Sequence, residues 1–459
     1  MSRRVRNAED YFLAGRSLAW WVIGMSIIGT NVSAEGYVGA AGSSYRLGVA
    51  QANFEWIGAI PAMILAALIF IPVYWRAGVY SIPEYFGQRY NATIRVLAAC
   101  ISTLFIVFAV AAALWAIALI LETFVGWPHW LSIVVSGTVV GLYSISGGLA
   151  AIAFTDALQV VIMFLCGVII VALGIHEAGG AEAFRSALTA HDPDHLKAYL
   201  PADHPNFPWP AVILGLGIVL SPAYWCGSQV ILQRTLAART RWDASYAMMF
   251  AALAKTCVPL LIVFPGLLAI VLAADIAEPD QALPWVIKHV LPPGLSGLMF
   301  TAILAALQSS LDSSLNAASL MITRDIRGVL SPRADPAKDL RIGRLLTLLI
   351  LLIGMFVAPF IGQLGGLYQF IQTMLSMFQG PLLALLLLGT LTRHASARAA
   401  VAVLVSGVTL SSALSYLGVN LLWVAFGSFA YSVLALWALS FLWPDAPDRD
   451  LSRLVFRRA

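Results

Sequence analysis

The chain has 459 residues, 60% of them hydrophobic and only 11% charged, with a mean hydropathy of +0.86. A soluble domain carries about 25% charged residues, so the composition excludes a soluble globular protein and indicates an integral membrane protein, all-α in class. The net charge of +4 is too small to suggest nucleic-acid binding.

The opening MSRRVRNAEDYFLAGRS is charged and holds no apolar run, so no cleavable signal is expected. A helix needs about 20 apolar residues to cross a bilayer. Apolar runs between charged or Pro/Gly breaks give twelve spans, at 18–45, 50–75, 94–123, 129–149, 152–176, 210–233, 243–274, 293–322, 340–361, 365–391, 397–417 and 420–443. Span one is interrupted by the polar, Gly-rich GTNVSAEGYVGAAG, and span six holds the polar-aromatic SPAYWCGSQ. Broken backbone at membrane depth is tolerated where it lines a cavity. Five spans run from one to five and five more from six to ten, so the halves begin on opposite sides. Interrupted segments in corresponding positions of inverted halves point to a binding site at the midplane.

Span two begins with an acid, Glu55, between aromatic neighbours. A carboxylate in hydrocarbon costs roughly 2.5 kcal/mol or more, so a partner or a job is expected. Asp156, near the start of span five, reads either as a helix-start or interfacial acid or as a functional carboxylate. Of the four lysines only Lys255 lies inside an apolar run, in span seven, in a chain that otherwise prefers arginine. A compact ammonium fits there, and Glu55 and Lys255 are candidates to neutralise each other. In span eight, Ser309, Asp312, Ser313 and Asn316 share one helical face. That stripe of oxygens suits a small hard cation, and equally suits helix–helix hydrogen bonding. The four cysteines, Cys100, Cys166, Cys226 and Cys257, lie in apolar surroundings without metal-type spacing and read as packing residues.

Arginines set the orientation. Arg3, Arg4, Arg6 and Arg16 precede span one; Arg76, Arg89 and Arg95 follow span two; Arg234, Arg239 and Arg241 follow span six. Arg324, Arg327, Arg333, Lys338, Arg341 and Arg344 follow span eight, and Arg449, Arg453, Arg457 and Arg458 form the tail. All fall on one side if the spans alternate, which makes both termini cytoplasmic and the membrane the cell (inner) membrane. The expected organisation is an N-terminal segment 1–17, a first repeat 18–176, an extracellular connection 177–209, a second repeat 210–392, two further spans in 393–443, and a basic tail 444–459. No Walker motif, HExxH, GxSxG or Cys/His cluster is present, so ATP-driven pumping and the common hydrolytic chemistries lack support and no enzyme is expected.

The stretches EDYFLAGRSLAWW, GTNVSAEGYVG, NFEW, YSIPEYFGQRY, YSISGGLAAIAFTDALQV, AYWCGSQVILQRTLAA, KTCVPLLIVFPG, SSLDSSLNAASLMITRDI and FIQTMLSMFQGP occur in this order. Together they resemble the sodium/solute symporter family, and within it the sodium/glucose branch. The resemblance implies the leucine-transporter fold, an inverted repeat of five helices, with sodium as the co-transported ion. It implies a sodium site of Gly29, Val32 and Ala306 carbonyls with Ser309 and Ser310 hydroxyls, Gly29 standing where the family has alanine. Asp156, Asp312 and Ser313 match positions tied to cation release or a second cation. The implied solute site is Asn31, Glu55, Ser221, Tyr224, Trp225, Lys255 and Gln372. Tyr224 is the implied inner gate, and Phe54 and Tyr368 close the outer side. Gly36 stands where the family uses glutamine or histidine. The expected function is sodium-coupled import of a sugar or polyol by alternating access. The alternatives are another small organic solute (an amino acid, a carboxylate or a vitamin) and, from a different class, a transport-dead sensor.

Overall fold

The computed structural model describes residues 14–32, 35–144, 149–272, 276–331, 336–364, 367–445 and 450–456. Of the arginines used for orientation, Arg3, Arg4, Arg6, Arg333, Arg449, Arg457 and Arg458 lie outside these residues, as do Ser33 and Ala34 of the break in span one.

Helix follows the apolar runs. Among the described residues, eight helices are long and apolar enough to cross a membrane, and the bent pair Arg241–Lys255 and Pro259–Leu272, taken as one span, makes a ninth. The other three expected spans are the divided span one and the shorter apolar helices His129–Leu142 and Leu345–Ile361. Span one runs as Trp20–Asn31, leaves helical geometry at Val32 (φ −75°, ψ 55°), and resumes from Glu35 into Ala40–Leu47. Span six runs through Trp209–Gly227 and breaks at Ser228 (φ −74°, ψ 122°) before a separate helix, Gln229–Leu236. Both breaks fall inside the polar stretches that mark them in the sequence.

Two span ends differ from expectation. The regular helix of span two starts at Ile60, with a tight 3-10 turn at Gly48–Phe54 and irregular turns at 55–59 before it. Glu55 therefore closes this tight turn with helical dihedrals (φ −88°, ψ −32°), ahead of the regular helix. Span six ends at Gly227, six residues before 233, and the Tyr74 hydroxyl there donates to Cys226 O at 2.7 Å. Two cysteines also depart from the packing role: Cys166 and Cys226 are buried, whereas Cys100 and Cys257 are exposed.

Span five (Leu149–Glu177) shows how the membrane sorts one helix. Leu158, Val161, Leu165 and Val168 form an exposed apolar stripe, while Asp156, Val160, Met163 and Ile170 are buried on the opposite face. An outward apolar face with inward polar groups is the pattern of a multi-pass membrane protein.

Helices approach closely through small residues. Gly266 of span seven lies against Ser44 of span one, whose hydroxyl donates to Val263 O at 2.9 Å. Gly380 of span ten (Leu367–Leu391) lies against Ser428 of span twelve (Leu421–Leu442), and Gly407 of span eleven (Ala397–Tyr416) against Ser432 of span twelve. The tail is not free-standing: Arg76 donates to Val455 O, the Tyr85 hydroxyl to Leu454 O, and Phe456 N to Thr390 O.

Candidate functional site

Breaks in spans one and six and the bend in span seven place polar residues around one central cavity. It measures about 70 Å³ and is lined by Asn31, Phe54, Glu55, Ser221, Tyr224, Trp225, Lys255, Tyr368, Gln372 and Gln379. In this state it holds no more than a few water molecules. All seven residues expected to bind solute line it, as do the three expected gates. Lys255 ends the first half of span seven, at the 51° bend, and its ammonium donates directly to Glu55 Oε2. Both are buried, at 1% and 8% exposure. The Lys255 ammonium also lies 5.6 Å from the centre of the Trp225 ring, within cation–π range. Asn31 reaches the Tyr224 hydroxyl at 3.5 Å, and Gln372 donates to the Tyr368 hydroxyl at 3.1 Å. The Ser221 hydroxyl is buried without a hydrogen-bond partner among the described residues. A cavity ringed by amide, hydroxyl, carboxylate and aromatic groups matches a solute with both hydroxyls and apolar faces.

Towards the side of the 177–209 connection, Phe54 meets Tyr368 edge-on, with ring centres 5.0 Å apart. Phe207, from the connection itself, packs on Phe54 at 5.1 Å. The connection is tied down nearby, where Asn53 donates to Ala198 O and Asn420 to the carbonyls of Pro205 and Asn206. Phe207 was not foreseen from sequence, since a lone aromatic in a polar loop carries no periodic signal. Beyond these rings lies a wider cavity of about 370 Å³, with Arg46, Asp280 and Gln372 in its wall.

Asp280, in the 275–292 connection, accepts from Leu367 N at 2.8 Å at the head of span ten. Burial pushes its pKa from 3.8 up to about 6, against the pull of that N–H and of Arg46. The folded chain thus holds this proton more tightly than the unfolded chain. The stability this contributes is complete below about 3.8 and lost as pH rises through about 6. Asp280→Asn is expected to raise the thermal unfolding midpoint at pH 7.5, with the gain shrinking towards pH 5. A gain constant across that range would rule out the Asp280 charge as its source.

A second buried cluster joins spans one, five, six and eight. Asp156 accepts from the Ser26 hydroxyl at 2.6 Å, from Thr30 at 3.5 Å and from Ser309. Arg234 lies 3.4 Å from the same carboxylate and donates to Ser26 and Ser313, both at 2.8 Å. Asp156 and Arg234 are each 1% exposed. Arg234 is thus buried within the bundle; Arg89, likewise, is fully buried and donates to Gly389 O and Thr392 O. Asp156 is no interfacial acid. Of the residues expected to bind sodium, Gly29 packs against Asp156, Ser309 bonds to it, and Val32 and Ala306 are buried. The Ser310 hydroxyl is buried without a hydrogen-bond partner among the described residues, in a small cavity shared with Thr30, Ser228 and Ser314. Asp312 and Ser313 are buried on the same helix. Ser26, Thr30 and Arg234 escaped sequence reasoning: Ser26 is a single hydroxyl in an apolar run, Thr30 is one polar residue among several in the interruption of span one, and Arg234 sits 78 residues from its acid.

The sodium:solute symporter family model matches residues 11–407. The sodium/glucose cotransporter of Vibrio parahaemolyticus is 33% identical over 91% of this chain and 81% of its own length. Sodium/glucose cotransporter 1 of Oryctolagus cuniculus is 31% identical over 82% of this chain, and sodium/myo-inositol cotransporter 2 of the same species 32% over 88%. The match spans 63% and 65% of those two proteins. In structure, a sodium-coupled sialic acid symporter in a substrate-bound outward-open state superposes with a TM-score of 0.84 at 22% identity, covering 97% of this chain and 94% of that one. Mhp1, a nucleobase-cation-symport-1 family transporter in a closed conformation, superposes with a TM-score of 0.62 at 16% identity, covering 98% and 99%. The architecture is the leucine-transporter fold with its five-plus-five inverted repeat.

Proposed function

Because the chain belongs to the sodium:solute symporter family, we propose that it imports a sugar or polyol coupled to sodium, by alternating access to the central cavity. The observation that carries this reading is the buried Glu55–Lys255 pair sharing one central cavity with Trp225, Tyr224 and Gln372. Glu55 accepts from solute hydroxyls, Lys255 and Gln372 donate, and Tyr224 stacks on the ring's apolar face as inner gate. Phe54, Tyr368 and Phe207 form the outer closure. A negatively charged solute would meet Glu55, which disfavours a carboxylate. The solute crosses without chemical change.

Sodium is proposed to bind between spans one and eight, at the carbonyls of Gly29, Val32 and Ala306 with Ser309 and Ser310. Asp156, Asp312 and Ser313 lie beside it as a second or release position. Its binding favours the outward-open arrangement. The proposed setting is the cell (inner) membrane, with both termini cytoplasmic, 18–176 and 210–392 as the repeats, and 393–443 as two added spans.

The test is uptake into proteoliposomes of labelled D-glucose, myo-inositol, amino acids and carboxylates, with and without a sodium gradient. Sodium-dependent uptake confined to amino acids or carboxylates would remove the sugar assignment. Ser309→Ala is expected to raise the sodium concentration for half-maximal uptake several-fold; a lost ligand worth about 1.4 kcal/mol would give about tenfold. Unchanged sodium dependence in a well-folded Ser309→Ala, Ser310→Ala double variant would refute this site.

A further inference from the structure

Gln379 lies seven residues after Gln372 on span ten, two helical turns further along the same face. It is 9% exposed, and its carboxamide oxygen has no hydrogen-bond partner among the described residues. An unpaired buried amide is destabilising, and such groups are rare unless something intermittently satisfies them. Gln379 lines two cavities. One is the central cavity; the other, of about 80 Å³, lies at the end of the bundle that carries the short helix Ile82–Arg89. Among the described residues only Tyr224, Leu375 and Gln379 line both, so these three side chains form the partition between them. The second cavity is otherwise mostly apolar, with Ile101, Phe105, Phe378 and Leu382 in its wall. Its Gln229 is already engaged, accepting from Ile82 N and donating to Tyr80 O.

We propose that Gln379 is a solute-release residue: its carboxamide takes over solute hydroxyls as Tyr224 swings aside, and passes the solute into the second cavity. This inference rests on the sugar or polyol reading above. A carboxamide both donates and accepts, which suits a hydroxyl of either polarity. In an apolar antechamber it offers the hydrogen bonds that replace those lost on leaving Glu55, Lys255 and Gln372. Gln379 thus weighs more on release to the cytoplasmic side than on binding from outside.

The test compares wild type with Gln379→Met and Gln379→Glu, using labelled D-glucose or myo-inositol, whichever the wild type takes up. Half-saturation is measured for solute entering from each side, in right-side-out and inside-out vesicles. In Gln379→Met, the cytoplasmic half-saturation should rise about tenfold, and by at least threefold more than the external value. Gln379→Glu keeps an acceptor at the same reach and should hold the cytoplasmic value within about threefold. Gln379→Met also removes an unpaired polar group, so its unfolding midpoint without solute should equal or exceed that of wild type; a clear fall would mean that the amide is bonded within the fold, and overturns the proposal. Equal shifts on both sides, or none on either, overturn it while leaving the transport reading intact. Absence of sodium-dependent uptake of either solute in the wild type removes the transport reading, and this inference with it.

Discussion

Glu55→Gln is expected to lose at least tenfold in solute affinity and to unfold at a lower temperature than wild type. Two effects act on one side chain. As a solute ligand, the carboxylate makes charged hydrogen bonds of about 1.5–3 kcal/mol each, which a neutral amide replaces only in part. As the partner of Lys255, it balances an ammonium that is 1% exposed; removing one member of a buried pair typically costs about 3–5 kcal/mol. The joint change Glu55→Gln, Lys255→Met separates them. Stability should return, because no unpaired charge is left, whereas uptake should stay depressed, because two solute contacts are gone. Uptake restored to wild-type level in the double variant would reduce the pair to a brace between spans two and seven.

Arg234→Met is expected to destabilise the protein by a similar amount, and Asp156→Asn added to it should recover most of the loss. The reason is again an isolated buried charge, here the Asp156 carboxylate held by Arg234 with Ser26, Thr30 and Ser309. The three hydroxyls continue to donate to Asp156 and limit the damage. They cannot replace the guanidinium, which also bridges Ser26 to Ser313 across spans one and eight. Thermal unfolding of the purified single and double variants in detergent decides the matter. If Arg234→Met melts with wild type, the hydroxyls alone sustain the carboxylate.

The parts of the fold legible in the sequence are those with a local cause. Twelve apolar runs announce twelve spans because hydrocarbon demands continuous helix. The polar stretches at Asn31–Gly36 and Ser221–Gln229 announce breaks because free backbone needs a cavity. Glu55 and Lys255 stand out because each is a lone charge in an apolar run, so their pairing could be reasoned out although they lie 200 residues apart. Arg234 had no such mark. It follows a span and precedes Arg239 and Arg241, so it reads as one more cytoplasmic cation; only the packing of four spans around Asp156 reveals its burial. Gln379 is uncharged, and its importance depends on where spans three, six and ten leave space. The late start of the regular helix of span two was hidden for a different reason: the turns before Ile60 run straight into its apolar residues, and hydropathy does not record geometry.

The glycine–serine contacts divide the bundle into bodies. Where Gly266 meets Ser44, only one small hydroxyl side chain lies between the outer halves of spans one and seven, which couples those two pieces closely. Gly380 on Ser428 and Gly407 on Ser432 fasten spans ten, eleven and twelve in the same way. The central cavity has Phe54 and Glu55 on one side and Tyr368, Gln372 and Gln379 of span ten on another. Spans eleven and twelve, though they add no residue to the cavity wall, are thus the ballast of one of its jaws. A lipid or inhibitor that pried Gly407 from Ser432 would slow the jaw from outside the solute's path, and its effect would not be competed away by solute.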